Sequence, residues 1–252
     1  MIYRNKFINV HIIWFYEDEA KNSSADMIYC RQVKHRVGGA KEFYTLLIDL
    51  NKSEEEIFSE FSKTNKREIR KSIKNDNLNY QMYHENIDDS LLNNFFDAHN
   101  RFTKERNLGD ISPLQFKGYR ENNQLYISTI STDDNEIIWW RVYVANGNRV
   151  RSLVSNSFFH NEEQEKKRLI ARTGRAMKWK DILYFKENNY KIFDFGGWYN
   201  GKEDKKKLAI NQYKESFCKH TELSYNYIKC KTFKCYIFRF LASIKDTLKH
   251  FT

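Results

Sequence analysis

"ARTGRAMKWKDILYFKENNYKIFDFGGW", residues 171–198, holds the elements that decide the fold. From Arg172 to Asn189 apolar residues recur at helical spacing, with Ala176, Trp179 and Leu183 on one side. Lys191-Ile192-Phe193 then reads as a short strand, ended by Gly196-Gly197. The chain has nine glycines, so two in succession call for a sharp turn or a close backbone approach. Upstream lie a strand over 149–158 and the polar loop "HNEEQEKKR". The order is thus strand, loop, helix, strand, with "ARTGRA" opening the helix. A helix start presents free N–H groups and a positive dipole end, which suit phosphate. Gly174 would let a phosphate reach the backbone, and Arg172 and Arg175 add charge. The plain alternative is an ordinary basic first turn.

Outward from this core, residues 7–17 and 41–50 read as strands. Ser53 with Glu56 forms a capping box for a helix carrying Ile57 and Phe61, and Asn65 with Glu68 is a second cap candidate before "KREIRKSIK". Residues 78–84 read as a strand and 90–102 as a helix. Beyond Pro113 come three strands, 125–131, 136–145 and 149–158, the last two joined at Asn146-Gly147, a strong hairpin signal. Residues 206–217 read as a helix, and 223–230 and the "CYIF" region as late strands. The order predicts an α/β (α+β) fold with a mixed sheet covered by helices on both faces.

The 252 residues, 40% hydrophobic and 16% aromatic, exclude wholesale disorder and supply a sizeable core. The net charge of +10 favours an anionic partner: nucleic acid, a phosphorylated small molecule or an anionic membrane surface. Cys30, Cys218, Cys230 and Cys235 form no CxxC pair, so reduced thiols are expected and no metal. The N-terminal apolar run is broken by Asn9 and His11 and ends in Glu17-Asp18-Glu19, which reads as a strand, not a leader. No window approaches the roughly 20 apolar residues of a spanning helix. A cytoplasmic protein, at most at the inner face of the membrane, is expected.

Strand, loop, G-x-A helix start and a second strand splaying from the first resemble the GNAT acyltransferase fold. "ARTGRA" keeps Gly174 and Ala176 of that family's pyrophosphate signature but has Ala171 at its first position. Three stretches resemble the FemAB branch, the peptidoglycan-bridge aminoacyltransferases and their surface-polysaccharide relatives. They are "KTNKREIRKSIKND", "MKWKDILYFKENNYKIFDFGGW" and "INQYKESF". The bridge-forming enzymes resemble two tandem GNAT-like halves. This chain fits residues 1–50 as a remnant of a first half and 51–252 as a complete GNAT-like domain, with a mostly antiparallel sheet.

The resemblance implies acyl transfer to an amine without a metal. The donor would be acyl-CoA, chiefly acetyl-CoA, held by Arg172, Thr173, Gly174, Arg175, Ala176 and Ser155. Asp194 would be the acceptor's base or hydrogen-bond partner, or else a cap or structural ion pair. Tyr213 would protonate the leaving thiolate, and Lys214 would balance carbonyl charge. Arg67, Arg70, Gly196, Gly197 and Trp198 would meet the acceptor, a nucleotide- or lipid-linked amino sugar of the bacterial cell envelope. The alternatives are an aminoacyl-tRNA donor, or a non-enzymatic basic binder of nucleic acid or a membrane surface. The tail "KTFKCYIFRFLASIKDTLKHFT" allows peripheral membrane contact. His99 and Trp139-Trp140 read as core, and His160 as an outside candidate for a base.

Overall fold

The hairpin read at Asn146-Gly147 anchors one of the two units into which the chain divides. The computed structural model describes residues 1–4, 7–106, 108–109, 111–158 and 163–249. His160 lies outside them. One unit comprises Thr45–Ile111 and Asn123–Glu222; the other comprises Met1–Tyr44, Ser112–Asn122 and the chain from Leu223 onward. The segment from Leu223 onward thus groups with the N-terminal strands.

The first of these units holds β4 (Lys41–Asp49, from Thr45), α1 (Glu54–Glu60), α2 (Lys63–Asn75), β5 (Asn79–Tyr83), α3 (Asp89–Arg106), β6 (Leu125–Ser131), β7 (Ile137–Asn146), β8 (Arg149–Ser157), α5 (Gln164–Glu187), β9 (Ile192–Trp198), α6 (Lys205–Glu215) and the start of β10 (His220–Cys230). Its strand order is β4-β9-β8-β7-β6-β5. β5 to β8 are antiparallel neighbours, and β8 and β9 are parallel. In the hairpin Asn146 stands opposite Arg149, and the left-handed φ of +56° falls on Gly147. The β8–β9 ladder covers Arg149–Arg151 against Ile192–Asp194, while both strands run on beyond it. That is the splay expected of this pair.

Successive residues of a strand face opposite sides of a sheet. On β7, Trp140 meets Phe95 of α3, whereas Trp139 and Arg141 bond to α5. Helices therefore cover both faces. The α5 side is packed with aromatic and aliphatic side chains, including Trp179, Ile182, Phe185, Phe193 and Phe217.

Local sequence signals hold at α1, where Ser53 and Glu56 exchange both bonds of a capping box. The next helix starts earlier than the Asn65–Glu68 pattern suggests. Ser62 is its N-cap, and buried Asn65 instead donates from Nδ2 to the Ser216 carbonyl at 3.0 Å.

The other unit contains β1 (Ile2–Arg4), β2 (Asn9–Trp14), β3 (Met27–Val33), α4 (Pro113–Glu121), most of β10 and α7 (Phe233–Lys249), with strand order β1-β2-β3-β10. β3 and α4 were not anticipated, although Ser112 as N-cap and Pro113 in the first turn are a standard helix start. The "CYIF" stretch lies in helix α7, not in a strand: Phe233, Tyr236, Ile237, Phe240 and Leu241 recur at helical spacing around it. Cys230 and Cys235 form a disulfide, contrary to the expected reduced thiols, because the end of β10 and the first turn of α7 bring them together. Cys30 and Cys218 are free and buried.

Candidate active site

α5 crosses the odd face of β7 so closely that one position must lack a side chain. A Cβ on Gly174 would lie 2.4 Å from the Trp139 indole. The indole Nε1 donates to the Ile170 carbonyl at 2.8 Å, fixing the ring against the helix. We expect Gly174→Ala to lower stability by about 1–3 kcal/mol through overpacking, despite alanine's better helix propensity. Urea denaturation checks this; a variant as stable as the parent would show that the indole moves freely.

Beside this crossing lies a cavity of about 460 Å³, walled by Trp139, Lys167, Arg168, Gly174, Arg175 and Tyr213. Under it sits a buried polar cluster. Arg141, 1% exposed, donates to the Gly174 carbonyl at 2.7 Å, to Asp181 at 3.3 Å, to Ser155 Oγ at 3.3 Å and to the Tyr213 hydroxyl at 3.5 Å. Asp181 also accepts from Tyr143 at 2.5 Å and Tyr80 at 3.0 Å. Burial opposes the charge on Arg141, but the oxygens of Tyr213, Tyr143 and Asp181 outweigh it and raise its pKa. A fixed cation therefore stands behind a tyrosine hydroxyl at the cavity wall.

Lys178 completes the cluster. Its Nζ donates to Tyr143 at 3.1 Å among the rings of Tyr143, Phe193 and Phe195. Burial, reinforced by the Arg141 charge, drives its pKa well below the ordinary 10.5. The unfolded chain then holds a proton that the folded chain does not, so stability rises with pH up to the unfolded value. As pH rises toward the unfolded value near 10.5, the wild type should gain stability relative to Lys178→Met, by at most about 1.4 kcal/mol per pH unit. Parallel urea titrations of the two proteins measure the difference, and parallel curves would contradict it.

No protein-family model and no curated protein matches the sequence. The three-dimensional fold is similar to solved structures. FemX superimposes with a TM-score of 0.61 at 11% identity, over 91% of this chain and 84% of FemX. The chain has a FemX-like GNAT fold. The C-terminal domain of an Agrobacterium fabrum protein named as a lysylphosphatidylglycerol synthetase matches with a TM-score of 0.50 at 10% identity, over 90% of this chain and 79% of that one. L-PGS from Bacillus licheniformis gives 0.50 at 10%, over 85% and 71%. The FemAB resemblance drawn from three short motifs is thus borne out at the level of the fold.

Within the FemX-like fold the expected donor signature is displaced. α5 begins at Gln164, so Arg172 to Ala176 lie inside the helix and not at its start. Their N–H groups are no longer the free ones of a first turn. Gly174 makes room for Trp139. Thr173 is buried and bonds the Ile170 carbonyl at 3.0 Å, and Ala176 is buried. Arg172 is committed to Asp76, with bonds of 2.7 and 2.5 Å. Only Gly174 and Arg175 of this set reach the cavity wall, and Arg175 is also tied to Asn65 at 2.9 Å. Ser155 is exposed on β8, beside Arg141.

Asp194 does not project into a cleft. It is fully buried; its Oδ1 accepts from Thr45 and from the Gly196 N–H, and its Oδ2 from Arg149 at 3.1 and 2.5 Å. Burial alone would raise its pKa; the charges of Arg149 and Arg151 and the Thr45 bond prevail and lower it. This placement suits the structural ion pair, not the base. Gly196 has φ +74°, and a Cβ there would lie 2.9 Å from the Ser152 carbonyl, so this glycine serves a close strand approach. Gly197 accepts from Lys214 at 2.5 Å, and Trp198 donates to Glu215 at 2.7 Å. Burial and the Arg151 charge bring the Lys214 amine down to about 8.

Arg67 pairs with neighbouring Glu68, and Arg70 stacks over Phe58 at a separate shallow depression that also holds Glu54 and Glu55. Of the three expected catalytic residues, only Tyr213 lines the cavity. His99 is buried as read, 3.2 Å from Asn156. Trp139 is part of the cavity wall instead of plain core. Arg141, Asp181 and Lys178 were missed. A charged residue inside the strand "EIIWWRVYVA" was the available signal, since an isolated strand-core arginine needs a partner. Among the described residues no three His, Cys, Asp or Glu side chains group to hold a metal ion.

Proposed function

We propose that this chain is an aminoacyltransferase that draws its acyl group from an aminoacyl-tRNA, the second of the two donors the sequence allowed. The cavity beside Tyr213, walled by Lys167, Arg168 and Arg175 next to the Trp139 ring, carries this reading. Several cations around one aromatic face suit the phosphates and terminal base of a single-stranded nucleic-acid end. The acyl-CoA reading depended on a helix start at Gly174, and that glycine lies mid-helix. FemX and L-PGS, whose fold this chain shares, point the same way; the L-PGS name itself specifies a lysyl group joined to a lipid.

In this reading an acceptor amine attacks the ester carbonyl carbon. A C–N bond forms, the C–O bond to the ribose breaks, and the ammonium gives up a proton to solvent, from which Tyr213 is reprotonated at the end of the turnover. The departing ribose oxygen takes a proton from Tyr213, and Arg141 stabilises the phenolate left behind. The amine of an envelope amino sugar remains the acceptor proposed.

Lys167→Gln/Arg168→Gln should weaken aminoacyl-tRNA binding roughly tenfold at moderate salt. The slope of log affinity against log salt should fall by about one for each phosphate that no longer meets a cation. Acyl-CoA should show no saturable heat in calorimetry. Tight acyl-CoA binding with tRNA binding untouched by the double change would reverse the choice of donor.

A further inference from the structure

The last helix presents an apolar stripe outward. In α7, Phe233, Tyr236, Ile237, Phe240 and Leu241 follow one another at i, i+3, i+4, i+7 and i+8, and are 79, 60, 45, 66 and 58% exposed. At 100° per residue these five span one side of the helix. Cys235 lies on the opposite side, fully buried and bonded to Cys230, so the disulfide fixes which side faces out. Lys234 borders the stripe on one flank and Arg239 on the other, and both are exposed. Arg239 also lines a cavity of about 350 Å³ together with Lys41, Tyr29, Tyr227 and Asn226.

We propose that α7 is a membrane-surface anchor that lies flat on a bilayer rich in anionic phospholipid, with its apolar stripe in the interface. Aromatic and branched side chains bordered by cations are the composition of helices that lie in the plane of a membrane. The helix does not span: no helix of the described residues is long and apolar enough to cross a membrane. Charge favours lipid over a second copy of the chain. The stripe is bordered by cations on both flanks, the whole chain carries +10, and two copies meeting there would bring like charges together. The cavity shared by Lys41, Arg239, two tyrosines and an asparagine adds a pocket with donors suited to a phosphodiester headgroup.

The test is sedimentation of the full chain with vesicles at low salt. Vesicles of equal parts phosphatidylcholine and phosphatidylglycerol should carry the protein down, and phosphatidylcholine alone should carry far less. Phe233→Glu/Phe240→Glu should lower partitioning to anionic vesicles by about tenfold or more. Lys234→Gln and Arg239→Gln should each lower it about fivefold. The altered side chains are exposed, and circular dichroism melting should match the wild type. Failure of the wild type to sediment, or equal binding to neutral and anionic vesicles, would overturn the proposal. So would a dimer in analytical ultracentrifugation that Phe233→Glu/Phe240→Glu dissociates, since the stripe would then be a self-interface.

Discussion

Asp194→Ala should lose about 3–5 kcal/mol of stability, because it leaves a buried guanidinium without its main counter-charge. Arg149 and Asp194 are 6 and 0% exposed at the side chain, and two guanidinium nitrogens meet one carboxylate oxygen. Arg149 retains Glu222 at 2.6 Å, which keeps the loss from being larger. The Gly196 N–H and the Thr45 hydroxyl also lose their acceptor. Asp194→Asn should cost less, about 2–4 kcal/mol, since one oxygen still serves Thr45 and Gly196 while an NH₂ faces the guanidinium. The pH dependence has a defined sign. The folded pKa lies below the ordinary 3.8, so this contribution is present above that value and is lost as pH falls through the folded one. Denaturation in urea from neutral pH down to about pH 2 should show an acid loss in the wild type that Asp194→Asn lacks. Transfer activity per folded molecule should change little. A loss of roughly 10²–10⁴ in kcat from a stably folded Asp194→Asn would restore the base.

Arg141→Met should be comparably damaging, about 3–5 kcal/mol, because Asp181 is then a buried carboxylate without its guanidinium, still accepting from two tyrosine hydroxyls. Asp181→Leu should cost a similar amount by stranding Arg141, Tyr80 and Tyr143. The double variant Arg141→Met/Asp181→Leu should lose clearly less than the sum, with a coupling of about 0.5–3 kcal/mol, since neither charge is then left alone. The Gly174 carbonyl and the Tyr213 hydroxyl both accept from Arg141, so the same pair of charges fixes α5 on β7 and orients the group at the cavity wall. Urea titration of the four proteins gives the cycle. Additive losses would mean that Arg141 and Asp181 act separately.

Much of the candidate site was hidden in the sequence for one reason: its partners are distant along the chain. Arg172 looks like a free cation next to Gly174, yet its carboxylate, Asp76, is 96 residues upstream. Thr45 and Asp194 are 149 residues apart. Tyr213 could be chosen from its helix alone, but Arg141, which backs it, sits in a strand that reads as simple core. Gly174 was legible as a residue that something approaches; what approaches it is the Trp139 indole, and only the packing of α5 on β7 shows that.

The sequence by itself determined the elements whose causes are local. The Ser53–Glu56 box starts α1, Asn146-Gly147 closes the hairpin, apolar spacing places the body of α5 though not its start at Gln164, and the apolar run at Ile192-Phe193 places β9, although that strand continues through both glycines to Trp198. These depend on dihedral preferences and on interactions within a few residues, which a short window contains. Tertiary structure alone decided that Asp194 is an ion-paired core carboxylate, that Cys230 meets Cys235, that "CYIF" is helical, and that Arg141, Asp181 and Lys178 share one buried cluster. Each of these follows from burial and from long-range pairing. A buried charge is stable only beside a partner, and which partner stands there is set by the strand order, not by its neighbours in the chain.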